Sequence, residues 1–543
     1  MKVGLIGVNS QFVHSNLALY YLREEMPDCC EGEIREYNNN EPILKIFYDI
    51  MDGSFDAVAF SVYLWNKETV KKLIQLIGDA EPSVLILLGG PEPTYAPGDF
   101  PIYDYIIYGA VEPTWAPLLQ ALCHGESVDD IPGIHGKIGF SENWSFPYRE
   151  TDIDGLNNKL VYYETSRGCP YHCAFCLSSA EDRTAFLPME RVKKELDFFL
   201  DHDFSVVKLV DRTFNAPKER GKEILRYLLS RCRPGITFHF ELKGELLDDE
   251  TVDLLISAPN GFFQVEIGVQ SLNEEALKES RRKNQWKKTK KYYQRLIAAE
   301  NVHTHFDLIA GLPHEDLSSF RFGFNEVMTL FPHYLQVGFL KLLPGTVLSA
   351  ERDRHGYSAE QFPPYEIVKT SLVSVEDFAL LKVLDGFMDE VYNKGMLRQT
   401  LSYALSRNRS DTFALFIALA RSEDYASTLC EYCGGDLIEW QSLLRLDGFL
   451  FGRGGNVTAE EEKEINRFVQ DHDAVCSVLP HYADEAPREI YKRTRILHFS
   501  VKMIFDENGI VTAITPGETR ILLDFQKKGR RKHGKEKPLM YLL

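Results

Sequence analysis

Three cysteines within eight residues carry the strongest chemical signal in the chain: Cys169-Pro-Tyr-His-Cys173-Ala-Phe-Cys176. Thiolates at this spacing on one short loop can each take one iron of a cubane 4Fe-4S cluster, which ordinarily has four cysteine ligands. The loop supplies three, so one iron is left open to a substrate or cofactor, which separates a catalytic cluster from an electron relay. The competing reading is a structural zinc site completed from elsewhere, with His172 as a candidate fourth ligand. The remaining cysteines are scattered: Cys29 and Cys30 adjacent, Cys430 and Cys433 a close pair, and Cys123, Cys232 and Cys476 single. Ten cysteines in 543 residues are too few for a secreted disulfide scaffold.

The elements around the triplet form two alternating series. Residues 1–125 place short β-branched runs at 2–8, 33–37, 56–62, 83–88 and 105–108, with helical stretches at about 16–26, 42–51, 67–79 and 113–124. Continuous apolar strands separated by helices predict βαβ units and a doubly wound, Rossmann-like parallel sheet, with ligands at the carboxyl ends of its strands. A turn-rich stretch at 126–158 reads as a linker or small hairpin. Strands then recur at 160–165, 205–210, 236–242, 262–269, 302–309 and 334–342, each of the first five followed by a helix. Six such units without a seventh and eighth predict a partial (β/α)6 barrel over 159–350, open on one side, with its active face at the carboxyl strand ends. Residues 358–525 turn mainly helical, with a small closing sheet near 496–525, and 526–543 read as a basic tail.

Composition bounds the class. Hydrophobic residues at 44% and charged residues at 26% exclude a disordered or collagenous chain. With 61 basic and 80 acidic side chains the net charge is -19, which disfavours bulk nucleic acid or an anionic membrane as partner. No apolar run approaches the roughly 18 residues of a membrane span. The start, MKVGLIGVNSQ, reads as a first strand rather than a signal peptide, so the expectation is a cytoplasmic protein.

Cys169 to Cys176, following a strand and Ser166-Arg167-Gly168, resembles the C-x-x-x-C-x-aromatic-C signature of the radical S-adenosylmethionine superfamily. The resemblance continues through VDRTFN (210–215), HFELKGELLDDE (239–250), EIGVQSLNEEAL (266–277), DLIAGLPHED (307–316) and LKLLPGT (340–346). It implies that Cys169, Cys173 and Cys176 hold the cluster, that S-adenosylmethionine chelates the open iron, and that Phe175 packs beside the adenine. Glu241, Gln270 and Ser271 then stand where contacts to the ribose or methionyl part are expected. Asp211 occupies a position where relatives carry a Gly-Gly-Glu motif that is missing here. For these four polar residues a plain strand-end or barrel hydrogen bond is the competing reading.

LLGGPEPT (87–94) and YGAVEPT (108–114), in a parallel-sheet domain before such a barrel, resemble the cobalamin-binding domain of cobalamin-dependent radical S-adenosylmethionine enzymes. A flat corrin can rest on strand ends only where the backbone approaches without side chains, which singles out Ser61, Gly89, Gly90, Pro91, Gly109 and Glu112. The Asp-x-His-x-x-Gly motif that supplies an axial histidine elsewhere is absent from 1–125, where histidine occurs only at 14 and 124. The combined resemblance implies reductive cleavage of S-adenosylmethionine to a 5′-deoxyadenosyl radical and methyl transfer to an unactivated carbon. It also implies an electron donor such as a flavodoxin or ferredoxin; the substrate stays open. Two alternatives stand beside it: a radical rearrangement or cyclisation without methyl transfer, and a non-catalytic iron-sulfur or RNA-associated protein using the basic tail.

The third region resembles an uncharacterised extension of a bacterial branch. Cys430 and Cys433 read either as an ordinary helix-to-turn pair or as half of a metal site completed by Cys476, His472 or His481. The basic stretch Arg281 to Lys291 reads as the solvated face of a barrel helix.

Overall fold

The computed structural model describes all residues except 181–182, 409–410, 452–456, 483–484 and 526–537. The chain divides into two compact units, one of residues 1–320 and 338–378, the other of 321–337 and 379–543.

The first unit opens with five strands, β1 (Lys2–Asn9), β2 (Glu31–Asn38), β3 (Ala57–Ser61), β4 (Leu85–Gly89) and β5 (Tyr105–Ile107). All pair in parallel, in the order β2-β1-β3-β4-β5. The pleat sends alternate residues to opposite faces. Ile6, Val58, Phe60, Ile86 and Leu88 therefore join one core with the helix Lys67–Ala80, while Leu5, Ala57, Ala59 and Leu87 join another with Trp115 and Leu118. Burial on both faces explains the continuous apolar runs.

Residues 126–158 contain no paired strands and are no solvated linker. Trp144 and Tyr148 are buried, the Tyr108 amide donates to Gly133 O at 2.8 Å, and Arg23 clamps Asp152 through two hydrogen bonds of 2.6 and 2.7 Å. Turn residues set the local path, but the aromatic side chains between them demand a core.

Six further strands follow: β6 (Leu160–Tyr163), β7 (Val206–Leu209), β8 (Thr237–Leu242), β9 (Phe263–Gln270), β10 (His303–Ala310) and β11 (Tyr334–Phe339). They form one sheet in the order β11-β10-β9-β8-β7-β6. First and last strands are its two edges, so the barrel is not closed, as the six-unit count predicts. Along β9 burial alternates strictly, with Phe263, Val265, Ile267 and Val269 fully buried and Gln264, Glu266 and Gln270 on the other, less covered face.

The second unit is mainly helical and includes Arg398–Arg407, Thr412–Ala420 and Leu437–Leu450. Buried Asp447 accepts from the Gln399 and Thr400 amides at 2.9 and 2.8 Å and so caps one helix from another. It also carries an antiparallel sheet of β12 (Thr494–Phe505), β13 (Val511–Asp524) and β14 (Leu539–Leu542). The sequence reading placed 539–542 in a tail, but four residues pairing with Ile521 to Asp524 make a strand. The basic run itself lies outside the described residues. Among the described residues, no helix is long and apolar enough to cross a membrane.

Candidate functional site

Between β6 and the helix Met189–Asp201, the cysteine loop is clamped at its centre. The Ala174 amide donates to Ser280 O and the Ala174 carbonyl accepts from the Leu348 amide, both at 3.0 Å. Cys173 is buried and Cys169 and Cys176 are half-buried. Arg282 reaches the Cys173 sulfur at 3.7 Å, and the Thr213 hydroxyl stands 3.6 Å from that of Cys169. The Lys243 ammonium lies 4.4 Å from the ring centroid of Tyr171, and burial, then Arg282, pushes its pKa down. Two cations therefore flank a loop whose thiolates would carry negative charge. The basic neighbours of Arg282 in sequence predict a solvated face; it precedes the helix Trp286–Ala298 and turns inward instead, to the Cys173 sulfur and the Gly268 carbonyl.

Among the described residues, the groups close enough to share a single ion are Cys29, Cys30 and Cys123, and Glu279, Glu351 and His355. The loop triplet is not one of them, and His172 is exposed. Thiols that do not converge on one point suit a cubane whose irons are spread over its corners, and do not suit tetrahedral zinc.

The polar strand-end residues fall into two groups. Asp211 is buried and accepts from the Thr165 amide at 3.1 Å, the Thr165 hydroxyl at 2.6 Å and the Ser166 hydroxyl. Ser271 donates to Glu315 at 2.5 Å and accepts from the Asn273 amide at 2.9 Å. Both make the barrel-internal bonds of the competing reading, and Asp211 has little acceptor capacity left for a ligand. Gln270 differs. It ends β9 with φ of 66° and its buried Oε1 has no hydrogen-bond partner. Arg282 Nε, Asn284 Oδ1 and Ser280 Oγ, close to it in the chain, share that condition. Buried polar atoms are almost always paired, so a group of unpaired ones beside a cysteine loop marks where a polar ligand would be held. Phe175 is half-buried on the loop.

Two features escaped sequence reasoning. Glu315, in the loop after β10, is buried, and desolvation pushes its pKa up to about 8. The sheet face that carries Glu266 holds a row of ionic side chains on successive strands. Lys208 pairs with Glu266 at 3.1 Å and Glu241 at 3.4 Å, His239 with Glu266 at 3.0 Å, and His305 with Asp307 at 3.0 Å. Glu241, expected at the cofactor, is thus engaged by Lys208. Period-two charge on alternate strand residues was the available signal.

A cavity of about 280 Å³ lies at the carboxyl ends of the first sheet, the predicted place. Ser61, Gly89, Gly90, Gly109 and Glu112 line it; Pro91 does not, because it starts the short helix Pro91–Tyr95. Gly90 has φ of 105°, and a Cβ there would stand 2.5 Å from Val62 O. Gly89 is the opposite case: nothing lies within 4 Å of where its Cβ would be. A backbone laid bare in this way is the cradle a flat macrocycle needs. Among the described residues, no histidine lines the cavity. His14 bonds Tyr162 at 2.6 Å, and burial, then Lys208, lowers its pKa.

The far wall of the cavity belongs to the barrel: Glu164 and Arg167, which lead into the cysteine loop. Arg167 pairs with Glu112 and, at 2.9 Å, with Glu164, and its guanidinium covers Trp144 and Tyr21 at 4.5 and 4.8 Å. Burial opposes its charge, but the two carboxylates outweigh burial and hold it protonated. Glu112 Oε2 is buried without a hydrogen-bond partner on this wall.

In the second unit, Cys430 and Cys433 end the helix Tyr425–Cys433. His481 is taken by Asp524 at 2.8 Å and His472 stands 3.5 Å from Cys476, so no convergent site with the pair forms among the described residues.

Comparison with known proteins locates these features in domains. Residues 4–118 match the B12 binding domain, 163–321 the Radical SAM superfamily, and 353–430 a protein of unknown function (DUF4080). The 2-(S-pantetheinyl)-carbapenam-3-carboxylate methyltransferase of Streptantibioticus cattleyicolor is 26% identical over 387 residues, covering 61% of this chain and 56% of its own. The cobalamin-dependent radical SAM methyltransferase TokK of Streptomyces tokunonensis is 26% identical over 365 residues, covering 60% of this chain and 53% of its own. The chain thus spans about half the length of these curated relatives. The fold is shared with the radical SAM methyltransferase TsrM from Kitasatospora setae (TM-score 0.56, 18% identity, 65% of this chain and 76% of that one). It is shared also with the cobalamin-dependent radical enzyme OxsB (TM-score 0.58, 17% identity, 86% of this chain and 80% of that one). A 4Fe-4S cluster, S-adenosylmethionine and cobalamin are the cofactors of these two domain types, as the sequence reading expected.

Proposed function

From a chain that belongs to the radical SAM superfamily and carries an N-terminal B12-binding domain, we propose a cobalamin-dependent radical enzyme that methylates an unactivated carbon. The observation that carries this reading is the shared wall. The glycine-lined cavity of the first sheet is closed by Glu164 and Arg167, five and two residues before the first cysteine of the loop. A methyl carrier and a radical source must act on one carbon, so their sites must adjoin. That both curated relatives are named as methyltransferases supports methyl transfer over rearrangement or cyclisation.

When bound, the cluster supplies the electron that splits S-adenosylmethionine into methionine and a 5′-deoxyadenosyl radical, and cobalamin supplies a methyl carrier. The chain's own residues do the rest. Cys169, Cys173 and Cys176 would hold three irons, and Arg282 and Lys243 offset the charge of their thiolates. Gln270, with Ser280 and Asn284, offers the polar atoms that would orient S-adenosylmethionine. Gly89, Gly90 and Gly109 would let a corrin approach the strand ends, and Arg167 holds Glu112 at the same cavity. Trp144 and Tyr21, stacked on Arg167, keep water from the wall. The ionic row from Lys208 to Asp307 would receive polar groups of a substrate. A small cytoplasmic flavodoxin or ferredoxin would serve as donor.

The test uses anaerobically reconstituted protein with S-adenosylmethionine labelled in its methyl group. Label recovered in the corrin fraction, together with deoxyadenosine, is the expected result. Deoxyadenosine without labelled corrin would count against methyl transfer and for rearrangement.

A further inference from the structure

The fold assembles a second cysteine triplet that the sequence separates. Cys29 and Cys30 lie in the turn between the helix Leu17–Glu24 and β2, and Cys123 lies in the last turn of the helix Trp115–His124. The Cys30 and Cys123 sulfurs are 3.3 Å apart, those of Cys29 and Cys30 3.9 Å, and all three lie within 4.8 Å of one another. Neighbouring residues in extended chain point to opposite sides. Here the turn closed by the Cys30 amide on Pro27 O at 2.9 Å brings both to one side. The cluster sits where β2 begins, beside the pairing of Lys2 with Glu31. That is the amino end of the sheet, away from the cavity at the carboxyl ends, so the cofactor reading does not use these thiols.

We propose that Cys29, Cys30 and Cys123 form a three-thiolate site for a soft d10 cation, zinc or copper(I). Metal-sulfur bonds of about 2.3 Å place the sulfurs of such a site roughly 3.8–4.0 Å apart. The spacing of 3.9 Å between Cys29 and Cys30 falls in that range, that of 3.3 Å between Cys30 and Cys123 is shorter, and the third stays within 4.8 Å, so side-chain shifts of less than about 1 Å close the site. Thiolates select soft ions over magnesium, calcium or manganese. Binding releases the thiol protons to solvent and leaves the oxidation state of sulfur unchanged. Three half-buried sulfurs converge where a disulfide needs two, and this favours an ion over a bridge. The ion would join the start of edge strand β2 to the helix that packs across the sheet, two segments 93 residues apart at Cys30 and Cys123. Metal would therefore stabilise the domain that holds the corrin without touching its seat.

The experiment uses the full chain, reconstituted anaerobically with iron and sulfide, then incubated with zinc or with copper(I), desalted and analysed for metals. The expected result is about one equivalent of zinc or copper per wild-type chain, raised melting temperature, and unchanged iron. Cys30→Ser and Cys123→Ser should retain less than about a fifth of that metal, with iron as in wild type, and lose the thermal response. If Cys123→Ser fails to fold, Cys29→Ser supplies the same comparison. Retention of neither metal by wild type overturns the proposal, as does equal retention by the variants. A Cys30–Cys123 disulfide found by peptide mapping in protein that holds no metal also overturns it, and makes the pair a redox bridge.

Discussion

The two parallel sheets of the first unit present opposite kinds of surface at the same structural position. At the carboxyl ends of β3 to β5 the cavity combines glycine backbone with largely apolar side chains such as Tyr21, Tyr63 and Trp115, with Gly89 open and Gly90 held against Val62. At the carboxyl end of β9 the surface is made by side chains with unmet hydrogen-bonding capacity, Gln270, Ser280, Arg282 and Asn284. One seat selects by shape and dispersion, the other by polarity and charge. A large, flat macrocycle whose ring face needs close backbone approach suits the first, and a zwitterionic sulfonium with a ribose suits the second. If that contrast is right, substitutions in each region should damage one cofactor and spare the other.

The largest separation should come from Cys173→Ala. Removing one of three thiolates should take iron per chain to near zero and abolish deoxyadenosine, while cobalamin retention stays within about twofold of wild type. Parallel loss of both cofactors would mean that the two seats are one cooperative structure. Next comes Gly89→Val. Its Cβ enters open space, so the melting temperature should hold within a few degrees while cobalamin retention falls at least about tenfold and iron is unchanged. Gly90→Ala, by contrast, places a Cβ against Val62 O at φ of 105° and should cost about 1–3 kcal/mol of stability whether or not corrin is present. Equal thermal effects of the two substitutions would refute the distinction between an open and a strained glycine.

What could be read in advance follows the same division. Both sheets and the partial barrel were legible because strand periodicity is local, and the grouping of Cys169, Cys173 and Cys176 because they share one loop. The glycines of the cavity were legible as a type, but Pro91 was included with them because adjacency in sequence does not say which residue turns away into a helix. Asp211 and Ser271 stood at the right strand ends, yet only three dimensions reveal that Thr165 and Glu315 occupy them. Arg282 was hidden in a basic run, and Arg167, though quoted, gained its role only when Glu112 arrived from 55 residues earlier. Cys123, single in sequence, has two sulfur neighbours in space.

Smaller effects probe the polar seat alone. Gln270→Ala removes a buried amide whose Oε1 awaits a donor, and should weaken S-adenosylmethionine by about five- to tenfold, the worth of one hydrogen bond. Iron and cobalamin contents should not move. Unchanged affinity, measured by anaerobic equilibrium binding to cluster-loaded protein, would detach Gln270 from the site.

The smallest effect tests whether protonation belongs to that seat. Burial holds the Glu315 carboxyl protonated up to about pH 8, against an ordinary value of 4.5. The folded chain thus binds a proton that the unfolded chain releases above 4.5. Its contribution to stability is complete below about pH 4.5 and is lost as pH rises through about 8. Glu315→Gln keeps an amide that can accept from Ser271 and cannot ionise. The difference between the wild-type and Glu315→Gln melting curves should therefore widen from about pH 5 to 8 and level off above it, with the variant the more stable at the alkaline end. Because Ser271 also receives the Asn273 amide directly after Gln270, S-adenosylmethionine affinity of wild type should weaken over the same interval and that of the variant should not. Cobalamin retention, which depends on the other seat, should follow neither curve. Parallel wild-type and variant profiles would place the Glu315 transition outside this window and remove protonation from the account of the polar seat.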